Sequence, residues 1–189
     1  MAKLKALVLL AEGFEDIEAV ATIDVLRRGG VDVTSASVGA SLQVPSSHGI
    51  TMTADARLRD LEEDSAWDAV ILPGGMPGTK NLAGSPEVIA LLRRQKEAER
   101  LICAICAAPT VLVGAEVLDA DTHVTCYPAS AVDLDRPSAN VPVVVDGNFI
   151  TGQGPGSALL FALVVLKVLA GDSAAGKVAQ GMVTDVLQG

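Results

Sequence analysis

Cys106 lies in the run Ala104-Ile105-Cys106-Ala107-Ala108-Pro109-Thr110, where an apolar strand must turn sharply into a helix. A thiol at such a junction is a candidate nucleophile. Ala104 and Ala108, two residues before and two after it, match the small flanking positions that let a nucleophile elbow fold tightly. The positive end of a following helix favours the thiolate. The plain alternative is a buried structural cysteine. Glu18 is the second group with chemical potential. It falls one turn into the helix after the first strand, beside Ile17 and Ala19, where burial raises a carboxyl pKa and keeps the group protonated. A neutral carboxyl donates a hydrogen bond to a thiolate. The other acids of that turn, Glu12, Glu15 and Asp16, read as solvated or as complements to the helix N-terminus. The third feature is Leu72-Pro73-Gly74-Gly75, whose glycines permit backbone amides to point into a site and stabilise an oxyanion; its alternative is an ordinary turn.

Other chemistries find less support. A nucleophilic cysteine usually works with a histidine base, and the chain has only His48 and His123, neither of them next to Cys106 in sequence. A Cys-His hydrolase would need the fold to bring one of them to the thiol. Gly78-Thr79-Lys80 lacks the four-residue gap of a phosphate loop, and Gly152-Gln153-Gly154-Pro155-Gly156-Ser157 lacks dinucleotide spacing. No nucleotide site is expected.

Apolar runs of strand length alternate with amphipathic runs of helix length, the pattern of a doubly wound α/β sheet. Lys5–Ala11 is nearly unbroken in apolar character, as suits a parallel strand covered on both faces. A helix is expected over Glu15–Arg28, ended by Gly29-Gly30, then strands over Val31–Ser37 and Ala69–Leu72, with a β segment at Gly49–Thr53 between them. Ser85 caps a helix running to Arg100, and Leu101–Ile105 is the strand that delivers Cys106. Further β segments are expected at His123–Cys126, Val143–Val145 and Phe149–Thr151, the last two joined by an Asp146-Gly147 turn. Helices over Pro155–Leu169 and Ser173–Leu187 close the chain. With no linker or repeat, residues 1–189 read as one domain.

Composition narrows the partners. A net charge of −9 with 3% aromatic residues offers neither the basic patch nor the stacking platform of a nucleic-acid binder. The longest apolar stretch, Ala158–Leu166, falls far short of the roughly 20 residues of a membrane span. Cys103, Cys106 and Cys126 form an odd set without zinc spacing, so a reducing cytoplasm is the expected compartment and no metal is expected. The apolar run near the start is too short for a signal peptide.

The ordered set of motifs resembles the DJ-1/ThiJ/PfpI family, in its DJ-1-like branch, over nearly the whole chain. The residues that carry it are Ala6-Leu7-Val8 leading to Gly13, Glu15 and Glu18; Asp24-Val25-Leu26-Arg27-Arg28; Leu72-Pro73-Gly74-Gly75; Ala104-Ile105-Cys106-Ala107 with Pro109-Thr110; and Gly154-Pro155-Gly156. The resemblance implies a flavodoxin-like three-layer α/β/α sandwich with a mostly parallel central sheet. It implies Cys106 as the reactive cysteine on the elbow, Glu18 as its protonated partner, and the amides of Gly75 and Ala107 as oxyanion donors. Gly74, Glu15, Tyr127, His48, Gln153, Gly154 and Pro155 are then expected to line the site.

The same resemblance implies cofactor-independent conversion of 2-oxoaldehydes such as methylglyoxal to 2-hydroxy acids, with deglycation of early adducts as a related activity. The alternative is a redox sensor or chaperone acting through Cys106 oxidation. A homodimer, with the helix after strand one at its interface, is also implied. Tyr127 stands where many DJ-1-like members have a histidine, and His48 and Gln153 stand where arginines often lie near the entrance. Ala107 replaces the histidine of the protease and chaperone branches, which argues against peptidase activity.

Overall fold

Ala6 to Leu10 carry no polar side chain, and in the computed structural model, which describes residues 3–62 and 65–184, they form the buried part of strand β1 (Lys5–Leu10). Both faces of this strand are covered. Ala6, Val8 and Leu10 join the core beneath α1 (Asp16–Arg28), α5 (Ala158–Ala170) and α6 (Asp172–Gly181). Leu7 and Leu9 point the other way, into a second core beneath α2 (Gly78–Ala83), α3 (Pro86–Glu97) and α4 (Pro109–Gly114). Strand alternation thus divides one apolar run between two layers of helices.

The remaining strands are β2 (Asp32–Ser37), β3 (Gln43–Pro45), β4 (Thr51–Thr53), β5 (Ala56–Arg57), β6 (Ala69–Leu72), β7 (Leu101–Ile105), β8 (Val143–Asp146) and β9 (Phe149–Gly152). Among the described residues, seven of nine strands form the main sheet in the order β5-β2-β1-β6-β7-β9-β8. Every neighbouring pair in it is parallel except β8 with β9, whose hairpin turns at Gly147 with φ +56°. The architecture is an α/β fold with a mostly parallel central sheet. From β1 the chain first moves outward to β2 and β5, then returns to the other side of β1 for β6 and β7. The carboxyl ends of β1 and β6 therefore flank a point where the winding reverses, the usual crevice for ligands in open α/β sheets.

Five local expectations need correction. His123–Cys126 is not a strand: Val124 makes only a single bridge to Ser138, and the Thr125 amide and hydroxyl are satisfied by Thr151 Oγ1 at 2.9 Å and the Val141 carbonyl at 2.8 Å. Side-chain bonds replace a ladder there. The third helix stops at Glu97 rather than Arg100, because Glu99 takes a left-handed φ of +53°. The expected start at Pro155 is a 3₁₀ turn, Pro155–Ser157, with α5 beginning at Ala158. The last helix ends at Gly181, with Val183 at φ +54°; the expected continuation over 185–187 lies outside the described residues. The excursion around Gly49 is a hairpin: β4 begins at Thr51 and pairs antiparallel with β3, which the sequence reading did not mark.

Candidate active site

Three neighbouring strands deliver the three chemical features: β1 leads to Glu18, β6 to Gly74-Gly75 and β7 to Cys106. Cys106 leaves β7 with φ +66°, a left-handed conformation that costs a residue bearing a Cβ roughly 1–3 kcal/mol. The neighbouring backbone holds it there. Its N–H donates to the Gly152 carbonyl at 2.9 Å, and its own carbonyl accepts from the Tyr127 N–H at 2.7 Å. Helix α4 begins three residues later, at Pro109. Ala108 is fully buried, and a larger side chain there would press into the core.

Glu18 has no exposed surface. Its Oε2 accepts the Gly74 N–H at 2.7 Å, while Oε1 is sealed from solvent and has no hydrogen-bond partner of normal geometry. Burial is the main cause that pushes its pKa up to about 7; the Gly74 amide pulls the other way, Glu15 adds like-charge repulsion, and the Cys106 thiol partly offsets it. Cys106 is 8% exposed, and its thiol is pushed up to about 12 by burial first, then by the Glu18 charge and the bond to that carboxyl. The amides of Gly75 and Ala107 oppose that rise by donating toward the sulfur. Each acid resists the other's ionisation, so the two titrate as a pair. The thiolate is favoured when Glu18 keeps its proton, since the carboxyl then becomes a donor and its repulsive charge is gone.

Glycines make this approach possible. A Cβ at Gly74 would stand 2.7 Å from Cys106 Cβ and 3.0 Å from Ala107 N. At Gly75, where φ is +89°, a Cβ would meet Glu15 N at 2.5 Å and Gly13 O at 2.6 Å. The loop after β1 and the loop after β6 thus touch backbone to backbone, joined by Glu15 N–H to Gly74 O at 2.9 Å and Gly78 N–H to Gly13 O at 3.1 Å. Glu15 caps α1, its Oε2 accepting the Glu18 N–H at 2.8 Å, and this fixes the first turn that carries Glu18.

His48 sits in the β3–β4 turn with Nδ1 2.9 Å from Asp16 Oδ2 and 3.1 Å from Ser47 Oγ. Burial would raise the Asp16 pKa, but hydrogen bonds from Ser46 and His48 outweigh it and hold the carboxyl below its usual value. His123 is an exposed residue whose Nδ1 lies 3.0 Å from Asp146 Oδ2. Among the described residues neither imidazole hydrogen-bonds Cys106. Glu15, Asp16 and His48 are the one group among the described residues whose donor atoms, all within 4.8 Å of one another, have the composition of a cation site. Two of those carboxylate oxygens are already committed, one to the helix cap and one to His48.

Tyr127, Gln153, Gly154 and Pro155 come together in one cleft of about 490 Å³, whose walls also include Pro142 and Leu160. Gln153 spends its side chain on Asn140, Nε2 donating to Oδ1 at 2.7 Å. Sequence reasoning missed Pro142 and Leu160, which lie on separate elements and carry no motif. It also missed Gly13 and Gly78 as spacing residues, although each follows a core strand as a turn glycine would.

Known proteins resemble this chain over nearly its whole length. The chain is 39% identical over 181 residues to Protein DJ-1 homolog B of Arabidopsis thaliana, covering 95% of this chain and 41% of that relative, so it spans less than half of that protein's length. It is 37% identical over 175 residues to Glutathione-independent glyoxalase DJR-1.2 of Caenorhabditis elegans, covering 90% of this chain and 91% of the relative. Among solved structures, oxidized Toxoplasma gondii DJ-1 superimposes with a TM-score of 0.91 at 34% identity, covering 96% of this chain and 99% of the other. The sequence profile of the DJ-1/PfpI family matches residues 4–168, and the chain belongs to that family.

Proposed function

We propose that this protein is a cofactor-independent glyoxalase that converts 2-oxoaldehydes such as methylglyoxal to 2-hydroxy acids, with deglycation of early adducts as a related activity. The observation that carries the reading is the buried pair: a fully buried Glu18 with a pKa near 7 acting on Cys106, beside the Gly75 and Ala107 amides. The thiolate adds to the aldehyde carbon to form a hemithioacetal, and the two amides stabilise the oxygen as it gains charge. Glu18 supplies the proton for that oxygen, then as carboxylate takes the C–H proton of the same carbon. The resulting enediolate takes this proton at the neighbouring carbon while the hydroxyl proton of the first carbon passes to the former ketone oxygen, which leaves a thioester of the hydroxy acid. Water cleaves the thioester and returns the thiol. The first carbon is oxidised and the second reduced within one molecule, so no external oxidant or reductant is needed.

Lactate formation from methylglyoxal by metal-free protein tests the reading. Wild type is expected to form lactate, Cys106→Ser to form none, and Glu18→Gln to lose at least a hundredfold in turnover. Lactate formed equally by wild type and Cys106→Ser would overturn it. A second reading, redox sensing by Cys106 oxidation, draws support from the oxidized Toxoplasma gondii relative and from the unpaired Glu18 Oε1, which when protonated could bond a sulfinate. Glu18→Gln separates the two, because sensing needs only a donor at that position whereas turnover needs a proton carrier.

The proposed setting is a homodimer in a reducing cytoplasm. Ile17 and Val20 lie one turn apart on the outer face of α1 and are half exposed, as is Ile50 in the turn whose His48 bonds Asp16. An apolar face of this kind suits association with a second copy. All three cysteines are buried free thiols, which fits a compartment that does not drive disulfide formation.

A further inference from the structure

The cleft walled by Tyr127, Gln153, Gly154 and Pro155 is more apolar than a methyl ketone needs. Both of its walls are tied to the backbone of the nucleophile: the Tyr127 backbone N–H donates to the Cys106 carbonyl at 2.7 Å, and Gln153 directly follows Gly152, whose carbonyl accepts the Cys106 N–H at 2.9 Å. The cleft volume of about 490 Å³ falls within the range of small-molecule sites. Tyr127 is 46% exposed, its ring backed by Gly154, where a Cβ would stand 3.4 Å from the ring edge. Pro128, Pro142, Pro155 and Leu160 complete the apolar lining. The one long polar side chain there, Gln153, is bonded to Asn140. Among the described residues no cationic side chain lines the cleft, so a carboxylate or phosphate on the substrate would find no ionic partner among them.

We infer that this cleft receives the substituent on the ketone carbon and selects 2-oxoaldehydes that carry an aromatic or bulky apolar group, with Tyr127 as the specificity-determining residue. This rests on the glyoxalase reading. The ring of such a substituent packs against Tyr127 while its aldehyde carbon reaches the sulfur, and an offset aromatic pair adds to the area buried. Methylglyoxal leaves the cleft filled with water.

The experiment compares kcat/KM for phenylglyoxal and methylglyoxal in wild type, Tyr127→Ala, Tyr127→Phe and Leu160→Asn. The phenylglyoxal to methylglyoxal ratio is expected to fall about tenfold in Tyr127→Ala and in Leu160→Asn and to stay within twofold in Tyr127→Phe, tenfold corresponding to about 1.4 kcal/mol. A ratio unchanged in both Tyr127→Ala and Leu160→Asn overturns the inference. Protection of Cys106 from iodoacetamide by mandelate and by lactate reads the cleft without turnover. Mandelate is expected to protect at a concentration at least tenfold lower than lactate, with that preference lost in Tyr127→Ala; equal protection by the two acids overturns the inference. Absence of turnover with both aldehydes would sink the glyoxalase reading, while the protection assay would still decide the cleft.

Discussion

Glu18 concentrates the pH dependence of the molecule at one atom pair. Its folded pKa, near 7, lies above the ordinary 4.5, so between those values the folded state holds a proton that the unfolded chain releases. Its contribution to stability is therefore full below about pH 4.5 and declines as pH rises to about 7, by roughly 3 kcal/mol. Chemical denaturation of wild type and Glu18→Gln at pH 5 and pH 7.5 is expected to show a pH-dependent gap between them, with the wild type losing more stability on the way up. Turnover runs in the opposite sense. The pair must lose one proton before the sulfur can attack, so kcat/KM is expected to rise with pH through an apparent pKa near 7 and level off above it. A flat profile from pH 5.5 to 8.5 would count against a Glu18–Cys106 pair as the reacting unit. Cys106 was legible in the sequence because an apolar run and a helix-start proline bracket it. The link between Asp16 and His48 was not, since 32 positions separate two residues that meet only when a hairpin folds over the loop.

At the scale of the elements, the site depends on how closely two loops can approach. Gly74 and Gly75 hold the loop after β6 against Cys106 and the loop after β1, and any Cβ would force them apart. Gly74→Ala is expected to cut kcat at least a hundredfold while costing only about 1–3 kcal/mol of stability, because overpacking moves the sulfur before it unfolds the sheet. Turnover and a urea melt on the same sample would separate the two effects. Glu15→Ala removes the α1 cap and is expected to cost about 1 kcal/mol, read as a lower denaturation midpoint. Strands such as β1 and β6 were legible because both faces are buried and the residues are apolar throughout. The short β3 was not, because Gln43-Val44-Pro45 has neither length nor alternation, and it pairs only because β4 runs back alongside it. The stretch at His123–Cys126 has the residues of a strand, but side chains of Thr125 and Thr151 take the bonds that a ladder would need.

For the whole molecule, the reversal of winding at β1 and β6 is what allows residues 18, 74, 75 and 106 to meet, and the exposed outer face of α1 is the one proposed for a second copy. Val20→Glu is expected to convert a dimer to monomers by light scattering on a sizing column, with little change in secondary structure. A wild-type monomer at micromolar concentration would remove the dimer from the proposal. The alternating layers of the fold were legible from the rhythm of apolar runs, whereas the partners across the cleft, Pro142 and Leu160, were not, being brought together only by the path of the chain between β7 and α5. The sealing of Glu18 Oε1 away from solvent has a further consequence, for the history of a single hydrogen atom. A carboxyl that bulk water does not reach delivers to the second carbon the hydrogen it took from the first, faster than that hydrogen exchanges. Lactate made from methylglyoxal in D2O is then expected to retain protium at C2, and proton NMR of the product would reveal whether the molecule keeps this isotopic memory or loses it to the solvent.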